Sequence, residues 1–256
     1  MNFSREQMLL RQRLQAAGSP AVAQQLQQEI GGDMTFLGAG DDAIRAAASD
    51  LAAAYPQMGR AQMTAFVRTL WQSRIHELRA VGVELLAARA ELLEPHDLAF
   101  LETLLKEGEA DALASKLAAD VLGTLVVKNK KLWRDLRRFA NASNEALQRA
   151  AVRACRLPLL HDDTAFERFE ELTTPLFAVA DARLQQAIDE LLAAAAAVHL
   201  DAVQALAQKH GRTVKVKARP RSKAAAAKPA APKPAKAAPP AKKTTKKAAA
   251  KAPKQA

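Results

Sequence analysis

Residues 77–86 read ELRAVGVELL, and a pattern of the same kind returns three times: ALASKLAADVL at 112–122, ALQRAAVRAC at 146–155 and RLQQAIDELL at 183–192. Laid over one another, these segments align Leu78, Leu113, Leu147 and Leu184, which lie 35, 34 and 37 residues apart. Each segment is amphipathic at the helical period and follows another amphipathic segment, so the repeating unit is an antiparallel helix pair. One such pair cannot bury its apolar face alone, whereas stacked pairs can. The spacing predicts an all-α, HEAT-like α-solenoid.

The rest of residues 1–211 agrees with that reading, being rich in Ala and Leu with apolar spacings of three and four and no strand-like alternation. Breakers divide it at Gly31-Gly32, Gly38 to Gly40, Tyr55-Pro56 with Gly59, Glu94-Pro95, Gly108, Asn141 to Asn144, Leu157-Pro158 and Thr173 to Pro175. Trp71 and Trp133 sit on amphipathic helices and are expected in the core. The adjacent acids Asp162 and Asp163, after Pro158, read as a helix N-terminal cap. The single cysteine, Cys155, has no partner for an internal bridge, and His76, His96, His161, His199 and His210 show no metal-ligand spacing. No metal or other cofactor is expected. The N-terminus lacks the long apolar stretch of a signal peptide, and no run approaches membrane-spanning length, so the expectation is a cytoplasmic, nucleoid-associated monomer with no membrane partner.

The charge is unevenly distributed. The chain carries 38 Lys+Arg against 27 Asp+Glu, yet 15 of the basic residues and none of the acids lie from Arg212 onward. Residues 1–211 are therefore mildly acidic, with 38 − 15 = 23 basic residues, and the C-terminal segment supplies the whole positive excess. That segment is a Lys/Ala/Pro mixture without an aromatic residue, too poor in apolar surface to offset the entropy of ordering it. The composition divides the chain into a helical body, 1–211, and a disordered tail, 212–256. A tail of this kind neutralises phosphates and so favours nucleic acid; a solubilising role and an acidic membrane surface are the other readings of the same composition.

Within the body, Arg149 stands beside small residues that should pack, and an unpaired guanidinium is costly to bury. Its turn faces either solvent or a negatively charged partner. Two places after each aligned leucine stand Ala80, Ser115, Arg149 and Gln186, and stacking should set these positions along one face. Between residues 128 and 156 the sequence adds Lys128, Lys130, Lys131, Arg134, Arg137, Arg138, Arg153 and Arg156, with only Asp135 and Glu145 as local acids. Lys130, Arg134 and Arg137 share a helix face, while Leu132, Trp133 and Leu136 supply the apolar side. Arg149, Lys128, Lys130, Lys131, Arg134, Arg137, Arg138 and Arg153 are the candidate phosphate contacts.

These pieces also resemble a known family. Phe36-Leu37-Gly38 ahead of a helix with Arg45, VRTLWQSRIHELRAVGVELL from Val67, FLETLL from Phe100, VLG from Val121 and LQRAA from Leu147 occur in the order and at the spacing of DNA alkylation repair proteins of the AlkD type, over roughly residues 30–190. The resemblance implies a HEAT-like-repeat DNA glycosylase that holds duplex DNA and hydrolyses the N-glycosidic bond of a cationic alkylated purine. It implies further that a carboxylate stabilises the oxocarbenium-like sugar, that tryptophans flank that sugar, and that the Arg of LQRAA, Arg149, holds the DNA backbone. The family's Trp-Trp-Asp-x-x-Asp stretch falls here on Ala110-Asp111-Ala112-Leu113-Ala114-Ser115, so Ser115 occupies the carboxylate position and Asp111 stands one turn before it. A later cleft tryptophan falls on Glu190.

The resulting expectation is a duplex DNA-binding member of this family with weak or no base excision, any chemistry resting on Asp111 and Ser115. The alternatives are an active glycosylase for 7-alkylguanine or 3-alkyladenine, and a protein-binding scaffold whose tail alone touches nucleic acid.

Overall fold

The computed structural model describes residues 1–108, 111–179 and 181–213, without the side chains of Asp111 and Val179. The basic segment from residue 214 onward lies outside the described residues, and with it the expectation of a disordered tail.

Three helices open the chain, α1 (Phe3–Ala17), α2 (Pro20–Ile30) and α3 (Asp41–Ala54). Helix pairs follow. In the first, α4 (Arg60–Gln72) packs on α5 (His76–Ala88). In the second, α6 (Leu98–Glu107) precedes a continuous helical run of α7 (Asp111–Lys116), a π-helical stretch Leu117–Leu122 and α8 (Gly123–Lys128). Next, α9 (Trp133–Ala140) packs on α10 (Glu145–Ala154), which leads into α11 (Arg156–His161). The last described helices are α12 (Ala165–Thr173), the short α13 (Leu176–Val179), α14 (Ala182–Ala195) and α15 (Leu200–Lys209).

The second helices of successive pairs stack on one another: α10 lies between Leu117–Leu122 and α14, and α5 lies against α7 and Leu117–Leu122. The first helices make the other layer, in which α9 packs on α12. The protein is thus an all-α solenoid of antiparallel helix pairs. Among the described residues the one β-bridge joins Thr35 to Ile75.

Leu78, Leu147 and Leu184 are buried as the repeat register requires, and Leu113 packs half-buried against the same core. Trp71, Trp133 and Cys155 belong to that core, and burial pushes the Cys155 thiol far above its ordinary pKa. Polar caps start two of the stacked helices: the Asn144 side chain accepts from the Leu147 N–H at 3.1 Å, and that of Asp181 from the Leu184 N–H at 2.7 Å. The break expected at Leu157-Pro158 falls earlier, at Cys155, because proline is accommodated in the first turn of α11, where its missing N–H would have no helical acceptor.

The Phe36-Leu37-Gly38 loop is held by a buried carboxylate. Glu77, at the start of α5, accepts from the Leu37 N–H at 2.9 Å and the Gly38 N–H at 2.7 Å. Gly38 has φ 77°, and a Cβ there would lie 2.1 Å from the Ser19 carbonyl oxygen. Replacing Glu77 by Ala leaves the buried Gly38 N–H and the part-buried Leu37 N–H without their acceptor, so Glu77→Ala is expected to cost about 3 kcal/mol, read from chemical denaturation. A loss below about 1 kcal/mol would show that water replaces the carboxylate there.

Candidate nucleic-acid interface

The candidate cations of the sequence divide between the two layers. Lys128 donates its ammonium to the Leu93 carbonyl at 3.0 Å, bracing the preceding turn. Lys130 meets Asp162 at 2.7 Å and Arg137 meets Glu171 at 2.8 Å. Arg138 makes a two-pronged contact with Glu102, at 2.8 and 3.3 Å, and its guanidinium lies 4.7 Å from the Phe139 ring centre. Lys131 and Arg134 are exposed. These ion pairs tie α9 and the turn before it to α6, α12 and the loop after α11. Only Asp135 and Glu145 stand beside these cations in the sequence because their other carboxylates come from neighbouring helix pairs, 32 to 36 residues away.

The bridged carboxyls titrate low. Glu102 is held down at about 2, chiefly by the Arg138 hydrogen bonds and then by Lys106, and Asp162 at about 2, chiefly by Lys130 and then by Thr164. A carboxyl depressed in the folded state stabilises the fold above its unfolded pKa and loses that contribution as pH falls toward its folded pKa. For Glu102 that window runs from about pH 5 down to about pH 2. Glu102→Gln should therefore lower the melting temperature at pH 7 and make its decline between pH 5 and pH 2 shallower. An unchanged acid profile would contradict the assignment.

The remaining candidates lie on the second-helix layer. A cavity of about 330 Å³ opens between the helical run 111–122, α10 with α11, and α14. It is lined by Ser115, Ala119, Arg153, Arg156, Ala187, Glu190, Leu191 and Ala194. A small adjoining hollow is lined by Gly108, Ala114, Ala146, Arg149, Ala150, Arg153 and Arg183. Arg149, Arg153 and Arg156 recur at steps of four and three, which aligns them along one side of α10 and α11. Alanines on both helices keep the surface between them low.

Of the row predicted from the repeat, Ser115 lines the cavity, Arg149 lines the hollow, and Gln186 donates to the Glu190 carboxylate at 2.8 Å. Ala80 does not join them, because α5 is packed among α3, α4 and α7 and Ala80 is buried. Arg149 is only 12% exposed, and its guanidinium lies 3.5 Å from the Glu145 carboxylate and 3.8 Å from that of Asp181. The negative charge beside it belongs to the protein itself, contributed by its own helix and by the cap of α14. Asp181 in turn titrates below its ordinary value, chiefly because its carboxylate accepts the Leu184 N–H, with help from Glu145 and Arg149.

Asp111 is the first residue of α7 and its side chain is not described. Ser115, one turn on, is half-buried in the cavity wall. Residue types alone did not single out Arg183 or Arg156 as site residues; Arg156 was legible from its seven-residue step after Arg149, while Arg183 needed the α10–α14 packing. Among the described residues no group of three or more His, Cys, Asp or Glu converges to hold a metal ion, and no helix is long and apolar enough to cross a membrane.

The fold on the page is a solenoid of stacked helix pairs with an arginine-edged cavity on its second-helix layer. The sequence model of the DNA alkylation repair enzyme family matches residues 10–223, and the chain belongs to that family. Its fold is similar to the solved structure of a predicted DNA alkylation repair enzyme from Enterococcus faecalis, with a TM-score of 0.63 and 16% identity over 82% of this chain and 98% of that one. No curated protein matches the chain.

Proposed function

We propose that this member of the DNA alkylation repair family binds duplex DNA on its second-helix layer and excises alkylated purines weakly or not at all. The observation that carries the reading is the convergence of Arg153 and Arg156 on one cavity with Ser115, beside the hollow of Arg149 and Arg183. Guanidiniums are suited to phosphate oxygens, and the alanines between them allow a sugar-phosphate chain to approach closely. Arg149 serves here chiefly to hold α10 against the cap of α14, with Arg153 and Arg156 as the main phosphate contacts. Lys128, at the end of α8, and Lys130, Arg137 and Arg138, on and just before α9, act first as ties within the fold, and Lys131 and Arg134 add long-range attraction. The body and the basic segment act as separate units, the latter supplying affinity without sequence preference.

Weak excision follows from the cavity's chemistry. A serine hydroxyl gives little Coulombic support to an oxocarbenium-like sugar, and a group of that kind is commonly worth a factor of about 10² to 10³ in rate. One observation favours the second reading, an active glycosylase: Glu190 places a carboxylate in the same wall. The partner that reading also calls for, an aromatic residue to flank the sugar, is not among the described lining residues. The two readings are separated by incubating the protein with duplex DNA that carries 7-methylguanine and measuring bound duplex and released base together.

A further inference from the structure

Charged bridges join neighbouring helix pairs along the first-helix layer, and at one junction they stop short. Arg138 of α9 meets Glu102 of α6 at 2.8 Å, Arg137 meets Glu171 of α12 at 2.8 Å, and Lys209 of α15 meets Glu170 of α12 at 2.9 Å. Between α4 and α6 the pattern begins with Arg60, whose guanidinium lies 2.8 Å from the Asp97 carboxylate. It does not continue. Arg68, further along α4, is exposed and has no carboxylate partner among the described residues. Glu102 lies 34 residues after Arg68, as Glu171 lies 34 after Arg137, but its carboxylate is taken by Arg138 and Lys106.

A cleft of about 410 Å³ opens at this junction, with Trp71, Phe100 and Leu104 as its floor and Arg68, Thr103 and Glu107 on its rim. The Arg68 guanidinium lies 4.9 Å from the Phe100 ring centre. An arginine held over a ring keeps its in-plane N–H groups for an oxygen acceptor. Glu107 accepts the Trp71 indole N–H at 3.1 Å and sets a negative charge in the same cleft. The occupant follows from these groups. A nucleic-acid strand brings a run of phosphates, and one arginine accompanied by one glutamate offers such a run no net attraction. A peptide can place a single acid beside an apolar anchor, and a cleft of this size holds one or two large side chains.

We propose that the cleft between α4 and α6 is a docking site for a protein partner, entered by a short segment in which an Asp or Glu stands beside a large apolar residue. The carboxylate accepts from Arg68, supplying the bridge that α6 does not, and the apolar side chain packs on Trp71, Phe100 and Leu104. The site lies on the opposite layer from the proposed DNA face, so its failure would leave duplex binding untouched.

The test pans the full chain against a random peptide library displayed on phage, then measures the most enriched peptide, synthesised with a fluorophore, at about 0.15 M salt. The basic C-terminal segment attracts acidic peptides unselectively, so two variants carry the decision. Arg68→Ala removes the guanidinium, and Thr103→Glu offers Arg68 an internal carboxylate and closes the cleft as the neighbouring junctions are closed. Both positions are exposed, and melting temperatures recorded alongside should not fall. The expected result is enrichment of peptides pairing an acid with Leu, Met, Phe or Trp, whose affinity drops at least about tenfold in each variant while duplex affinity stays constant. No enriched sequence, or peptides that bind all three proteins equally, would overturn the inference. Duplex affinity that falls in Arg68→Ala while peptide affinity does not would overturn it too, by making the cleft a nucleic-acid contact.

Discussion

Deleting residues 214–256 is expected to lower the affinity for undamaged duplex DNA by at least about tenfold at 0.1 M salt and to flatten its dependence on salt. That segment holds 14 of the chain's 38 basic residues and no acid. Every phosphate it neutralises releases counterions, so the slope of log K against log salt should become shallower by about 0.9 for each phosphate that the shortened protein no longer neutralises. The shortened protein should nevertheless unfold cooperatively at an unchanged temperature, because among the described residues a contiguous core already runs from Leu10 to Leu206. Equal affinities and slopes before and after deletion would assign the tail another job. Loss of cooperative unfolding would show that the body extends further than its core indicates.

The second large effect concerns the cavity arginines. In the shortened protein, Arg153→Ala combined with Arg156→Ala should weaken duplex binding by about 3 kcal/mol, roughly a hundredfold, since hydrogen bonds to charged groups contribute about 1.5 to 3 kcal/mol each. Melting temperature should change little, because Arg156 is exposed and Arg153 half-exposed at the cavity edge. Arg149→Ala should behave in the opposite way. Its guanidinium is largely buried between Glu145 and Asp181, so removing it leaves two carboxylates facing each other and should lower stability more than it lowers the affinity of the folded fraction. A double variant that binds as tightly as the parent would move the DNA to another face.

The sequence carried the fold well and the site only partly, and the reasons are physical. Helical period and a 34- to 37-residue recurrence of Leu78, Leu113, Leu147 and Leu184 are local or nearly local signals, and the stacked pairs follow from them. The FLG loop could be matched to a family but not explained, because its acceptor, Glu77, comes from 40 residues further along. The basic patch at 128–156 looked continuous in sequence. In three dimensions the turn at Asn141 to Asn144 sends its two halves to different layers, where Glu102, Asp162 and Glu171 meet one half and the cavity receives the other. Arg149 posed a choice between solvent and a charged partner, and it is met by Asp181, whose position depends on how α14 docks on α10. Charge pairing between repeats is invisible to any count made within one helix.

The proposed function, duplex binding with weak or no excision, separates binding from base release. The direct measurement is the amount of 7-methylguanine and 3-methyladenine released from methylated duplex DNA over time, with the fraction of duplex bound recorded in the same samples and a protein-free control alongside. The expected outcome is saturating binding with base release no more than marginally above the spontaneous rate. Rapid, multiple-turnover release by the unaltered protein would contradict this function, and would give to Glu190 or Asp111 the catalytic carboxylate that Ser115 cannot supply.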